Sequence, residues 1–178
     1  MKRELLAAAA VPLAMAACAN RPPHAPAEVP DRLKPADREV MLRTVYAAGT
    51  QIYECRVSRS NPLQLEWVFV APEADLLDEN GQRIGKHIQG PLWQHNDGSE
   101  VTGTIKAVVE APQDEALPWL LLKTRSVGGN GAFAKVTSIQ RINTVGGTPP
   151  ATMYCTPRLI GTRAIVPYNA DYVMFGEK

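Results

Sequence analysis

The dominant hydrophobic period of this chain beyond residue 50 is two. Tyr53, Cys55 and Val57 share one face of an extended segment, Leu65, Trp67 and Phe69 share another, and Val101, Ile105 and Val109 a third. Half-buried strands produce this alternation, because successive side chains leave a pleated backbone on opposite sides. Turn signals separate the segments. Asn80-Gly81, between Leu76-Leu77 and Ile84, predicts a type I′ hairpin, and Gly128-Gly129-Asn130-Gly131, between Trp119–Leu122 and Phe133–Ile142, predicts a second. Gly146-Gly147-Thr148-Pro149-Pro150 reads as a loop, followed by a strand carrying Cys155 and two more near Leu159–Val166 and Asp171–Phe175. The expected fold is all-β, an antiparallel sandwich or barrel-like domain. Ala36 to Ala48 fits two descriptions: Val40, Met41, Val45 and Ala48 form a helical face with Gly49 as its C′ residue, and the same residues suit a strand. One short N-terminal helix is therefore admitted.

The first 35 residues have a different composition. Lys2 and Arg3, the apolar run Leu5–Ala14 and the small residues Ala14, Ala16 and Ala17 have the order of an export signal over residues 1–17. Met15-Ala16-Ala17-Cys18 is similar to a bacterial lipoprotein box, in which the cysteine becomes the lipidated N-terminus; Met15 stands where leucine is usual. The alternative is ordinary cleavage near Ala14-Met15-Ala16. Residues 18–35 contain Pro22, Pro23, Pro26, Pro30 and Pro35 and few large apolar side chains, as expected of a semi-rigid, lipid-anchored tether. His24 falls in that tether and is set aside as a ligand. One β-rich domain, residues 36–178, remains.

Cysteine usage agrees with export. With Cys18 lipidated, Cys55 and Cys155 form an even pair in an oxidising compartment, which favours a disulfide; two buried free thiols are the alternative. No Cys-x-x-Cys occurs. A net charge of +1 without a basic run argues against nucleic-acid binding. The expected location is the periplasmic or cell-surface side of a bacterial membrane.

The stretch Gly85 to Gly103 concentrates chemistry: it holds two of the three histidines, one of the three tryptophans and four of the thirteen glycines. Trp93, Gln94, His95, Asn96 and Asp97 combine an apolar plate with hydrogen-bonding groups, as a binding site for an envelope glycan would require. A chain reversal at Gly90-Pro91 would set His87 opposite His95 with Asp97 on the same face, enough ligands for a divalent metal with open positions. Both readings require a concave, partly exposed patch; a buried Trp93 would make the loop a structural turn. Asp97-Gly98 also suits a turn.

Together with Gln51-Ile52-Tyr53-Glu54-Cys55, Ala71-Pro72-Glu73-Ala74, Pro118-Trp119-Leu120-Leu121, Ile139-Gln140-Arg141-Ile142-Asn143-Thr144 and Cys155, this stretch resembles the family catalogued as domain of unknown function 3455, found in secreted proteins of bacteria and fungi. The resemblance runs from about Gly49 to the C-terminus. It implies an exported β-rich domain and carries over no catalytic residue.

Other chemistries lack their motifs. Ser99 is not in a Gly-x-Ser-x-Gly elbow, and Gly128-Gly129-Asn130-Gly131 lacks dinucleotide-loop spacing. Carboxylate pairs for glycoside hydrolysis, Asp97 with Glu100 or Glu66 with Glu110, depend on distances the sequence does not contain. The functional expectation is a cell-envelope lipoprotein acting as a binding or structural module, with no resident cofactor. Its partners would be the membrane through Cys18 and an envelope glycan. The alternative is a metal-dependent enzyme using His87, His95 and Asp97.

Overall fold

Eight antiparallel strands, each paired with the next, close into a barrel in the computed structural model, which describes residues 28–178. The segments expected to be an export signal and, for the most part, a tether, with Cys18 between them, lie outside the described residues. The strands are β1 (Glu39–Val57), β2 (Leu65–Leu77), β3 (Arg83–Ile88), β4 (Leu92–His95), β5 (Glu100–Val109), β6 (Trp119–Gly128), β7 (Ser138–Gly146) and β8 (Arg163–Glu177). Of the two expected all-β arrangements, closure selects the barrel. The last strand returns to pair with the first from Glu39↔Glu177 to Glu54↔Arg163, so neither terminal strand offers an unpaired edge.

The stretch that also fitted a helix is the first half of β1. Val45 and Ala47 point into the barrel and are fully buried, while Val40, Met41 and Leu42 are exposed. A helix there would forfeit the long ladder with β8, and that non-local pairing overrides a balanced local preference. Gly49 ends no helix; a Cβ at that position would fall on the backbone of Glu73 and Ala74, so glycine lets β1 and β2 cross closely.

Alternation sorts the apolar residues into two groups. Val45, Ala47, Leu76, Trp93, Val101, Leu120, Leu122, Ile139, Tyr168, Ala170, Tyr172 and Met174 fill the interior, together with Phe133 and Val136 from the β6–β7 connection. Trp119, Leu121 and Ile142, the outward neighbours on β6 and β7, are covered by fully buried Leu33. Leu33 closes a 3-10 turn, Asp31–Leu33, and its carbonyl accepts a hydrogen bond from Gln140 Nε2 at 2.6 Å. The packed unit thus includes Val29 and Leu33, residues that composition alone assigned to the tether. Elsewhere the outer face mixes charged side chains, Glu73, Asp75, Lys86, Lys123 and Arg125, with exposed apolar ones such as Val127 and Ile165.

Three local expectations are corrected. Val101 and Val109 do not share a face: a bulge between Ile105 and Ala107 resets β5, so that Val101 lies in the interior and Val109 packs with the outer group. The Asn80-Gly81 hairpin is not type I′. The Gly81 amide donates to Asp78 O and the Asp78 amide to Gln82 O, and only Gly81 has positive φ, so a three-residue connection with a left-handed glycine joins β2 to β3. Asp78 Oδ1 selects this form by accepting from the Asn80 and Gln82 amides. Cys155, finally, lies on no strand. It follows a 3-10 turn, Thr152–Tyr154, in the connection between β7 and β8, and the chain beyond forms one strand, not two. The disulfide with Cys55 ties this connection to β1.

Candidate functional site

Strands β3, β4 and the start of β5 form a meander holding every residue of the Gly85–Gly103 stretch. Its register is Gly85↔His95, Lys86↔Gln94, His87↔Trp93 and Ile88↔Leu92. His87 therefore faces Trp93, not His95: the reversal is centred on Gln89–Pro91, one position before the centre on Pro91 that would make the histidines partners. Both rings point into the barrel. Trp93 is 1% exposed and stacks on the His87 imidazole, with centroids 4.1 Å apart and planes at 12°. Tyr172 meets both rings edge-on at 5.4 Å. Gly103, across β5, leaves room for the indole, since a Cβ there would sit 3.0 Å from a Trp93 ring carbon.

Burial lowers the pKa of His87 to about 4, against a favourable bond with the Leu92 carbonyl and with a smaller push from the Arg141 charge. Nδ1 lies 3.0 Å from Leu92 O. A carbonyl can only accept, so Nδ1 carries the proton of the neutral ring and Nε2 is the bare nitrogen. The same interior holds Gln51, Tyr53, Tyr168 and Tyr172 around Arg141, whose Nε and Nη2 both donate to Pro118 O. Tyr53 donates to Gly147 O at 2.6 Å. Desolvation raises the Tyr168 and Tyr172 hydroxyls above the usual phenol range. These two hydroxyls interact with each other but make no hydrogen bond of good geometry, as neither does the Trp93 indole N–H.

The remaining residues of the stretch are engaged in the fold. Gln94 Nε2 donates to Glu100 Oε1 at 2.6 Å, and Asn96 Nδ2 donates to Arg83 O. The His95–Ser99 turn repeats the β2–β3 connection: Gly98 N donates to His95 O, His95 N to Ser99 O, and Gly98 is left-handed. Asp97 organises this turn. Its Oδ1 accepts from the Ser99 amide and hydroxyl, and its Oδ2 from the Ala132 amide; Ser99 Oγ in turn accepts from the Phe133 amide. These bonds hold the Asp97 carboxyl well below the usual range, with the Ser99 hydroxyl the largest cause. They also explain the glycines of residues 128–131, since a Cβ at Gly131 would strike the Asp97 carboxylate and one at Gly129 the Gly98 backbone. His95 Nδ1 lies 3.2 Å from the Asp97 amide and 3.0 Å from its Oδ2.

The proposed metal set is thus divided. His95 and Asp97 touch, His87 is inside the barrel against Trp93, and among the described residues no three His, Cys, Asp or Glu side chains converge as metal ligands. The glycan-type patch meets the same difficulty, because its aromatic plate is buried. Of the carboxylate pairs, Asp97 and Glu100 are each hydrogen-bonded within the meander, and Glu66 and Glu110 belong to β2 and the chain after β5, strands that are not neighbours. Sequence reasoning overlooked the interior cluster, although Tyr168-x-Ala170-x-Tyr172-x-Met174 carries its period of two. It also overlooked a groove of about 490 Å3 across β1–β3, lined by Ala48, Gly49, Glu73, Asp75, Lys86 and Ile88 among others.

The fold and this interior define a closed, eight-stranded antiparallel barrel with a packed aromatic core, stapled by one disulfide. Residues 35–176 match the family described as protein of unknown function (DUF3455), and the chain belongs to that family. No curated protein and no solved structure matches it.

Proposed function

We propose that this protein is an exported, lipid-anchored component of the bacterial cell envelope, in which the barrel serves as a rigid structural and binding module. The observation that carries this reading is the use of its three cysteines. Cys55 and Cys155 are paired, a bond that persists in oxidising compartments, and Cys18 stands in Met15-Ala16-Ala17-Cys18 behind a basic and apolar leader. Because the Trp93 plate is inside the barrel, a binding role falls to the outer surface and not to the Trp93–Asp97 segment.

Intact-mass measurement of the mature protein, with membrane fractionation of the wild type and Cys18→Ser, tests the reading. The expected result is an acylated Cys18 N-terminus, membrane recovery that Cys18→Ser abolishes, and no alkylatable thiol. An unacylated N-terminus beyond Cys18, or two free thiols in protein from its native compartment, overturns it.

A further inference from the structure

The two ends of the barrel differ. At one end, the connections between β2 and β3 and between β4 and β5 are short polar turns built on Asp78 and Asp97. At the other, the β1–β2 connection and the β7–β8 connection meet around the disulfide and expose large apolar side chains. Leu63 is 96% exposed, Met153 77% and Tyr154 62%, with Val57 and Ile160 about half exposed. These five residues stand on or beside the two connections that the disulfide joins. Val57 pairs with Leu65, and Leu63 is in the connection between them. Ile160 precedes Gly161, whose amide donates to Cys55 O, and Met153 and Tyr154 precede Cys155, whose Sγ is bonded to Cys55 and lies 3.4 Å from Glu66 O. Solvent-exposed arginines, Arg59 and Arg158, are carried on the same two connections.

We infer that this apolar and basic rim, on the β8–β1–β2 side of the disulfide end, rests on the anionic lipid surface of the membrane that holds the anchor. The inference depends on the proposed lipidation of Cys18 and adds which face meets the bilayer. Two observations select a membrane as the occupant. Glu39 accepts from Thr137, Leu33 accepts from Gln140 further along β7, and Val29 packs against the outer cluster that includes Trp119 at the start of β6, so the chain leaves the described structure toward this end of the barrel. The eleven residue steps from Cys18 to Val29 reach no further than about 40 Å at full extension, so the anchor keeps this end within that distance of the lipid. Charge supplies the second: guanidinium groups among apolar side chains suit an anionic interface, where amphipathic side chains bury apolar parts and keep their charges at headgroup level. The β5–β6 connection at the same end carries Asp114 and Glu115 and is joined to the start of the β7–β8 connection by the Ala116↔Gly147 bridge and by the Thr148 hydroxyl, which donates to Glu115 O, so the rim proper is the stretch beyond it, from Met153 to Ile160, with the β1–β2 connection.

The protein contains its own probes. Met153 lies in the rim, Met41 is 64% exposed near the start of β1 at the far end, and Met174 is fully buried. The mature, acylated protein is reconstituted in vesicles of three parts phosphatidylethanolamine to one part phosphatidylglycerol, and in detergent micelles, and methionine sulfoxide formation by dilute peroxide is followed by mass spectrometry. Vesicles are expected to slow Met153 oxidation several-fold relative to Met41. Leu63→Glu with Ile160→Glu, changes at exposed positions, is expected to restore the micelle rate without altering Met174 protection. Equal oxidation of Met41 and Met153 in vesicles by an acylated protein overturns the inference and leaves the lipoprotein reading standing. An unacylated mature protein overturns both. Protection that follows protein concentration and not lipid identifies a second copy as the occupant and overturns the membrane assignment.

Discussion

His87 and Trp93 stack face to face inside the barrel, 4.1 Å between ring centroids, and both are buried. They are direct cross-strand partners in the β3–β4 hairpin, so one register decision removes from solvent the two side chains with most chemical promise in the sequence. The pair is a structural element of the core, and Tyr172 and Gly103 complete its surroundings.

Removing the indole should therefore damage the fold. Trp93→Ala is expected to lower stability by about 3–5 kcal/mol through lost burial and a cavity beneath Tyr172. Gly103→Ala, which presses a methyl group against the indole and Leu122, is expected to cost about 1–3 kcal/mol. Denaturant midpoints measure both, and a Trp93→Ala protein as stable as the wild type would contradict the packing described.

Stability should depend on pH through His87. The folded ring resists protonation down to a pKa of about 4, whereas the unfolded ring takes up its proton near 6.5. Between these values the unfolded chain binds more protons, so stability is complete above about pH 6.5 and falls as pH drops toward 4, by on the order of 3 kcal/mol. His87→Phe should keep the stack and flatten this part of the profile. A wild-type profile that is flat between pH 6.5 and 4 would show that the ring is not sealed from water.

Asp97 joins two loops and should be sensitive in a local way. Asp97→Ala removes the acceptors of the Ser99 and Ala132 amides, so hydrogen exchange at both should accelerate while Tyr172 and Met174 stay protected. Faster exchange throughout the barrel would instead make Asp97 part of the global core.

The Cys55–Cys155 bond closes a sequence separation of 100 residues. Its loss in Cys155→Ala is expected to cost about 2–5 kcal/mol, with the chain-entropy contribution near the upper end for a loop of this length. The midpoint difference between oxidised and reduced wild type should be similar. An unchanged midpoint would show that the backbone contacts of the β7–β8 connection hold it without the sulfur bridge.

The strand segments Gln51–Val57, Leu65–Val70 and Val101–Val109, the turn at Asn80-Gly81 and the pairing of Cys55 with Cys155 were legible because each is local or arithmetic: alternation requires a half-buried strand, glycine permits positive φ, and an even pair of thiols favours a bond. The kind of turn was not, because Asp78 binds two amides and imposes a three-residue connection that the Asn-Gly pair does not reveal by itself. Val109 shows a similar limit. Its period agrees with Val101, but the bulge before Ala107 reverses the faces, and a bulge leaves little trace in composition.

The amino-acid order by itself determined an all-β domain, its turn positions and the residues able to form its core, since these follow from side-chain size, polarity and spacing along one segment. Tertiary structure alone decided that Ala36–Ala48 contributes to β1, that the sheet closes, that Cys155 stands in a connection, and that His87 lies on Trp93 apart from His95. Each of those depends on a partner distant in the chain. The ladder from Glu39↔Glu177 to Glu54↔Arg163 joins the two ends of the barrel domain, and only once it forms do an inside and an outside exist for His87 and Trp93 to be assigned to.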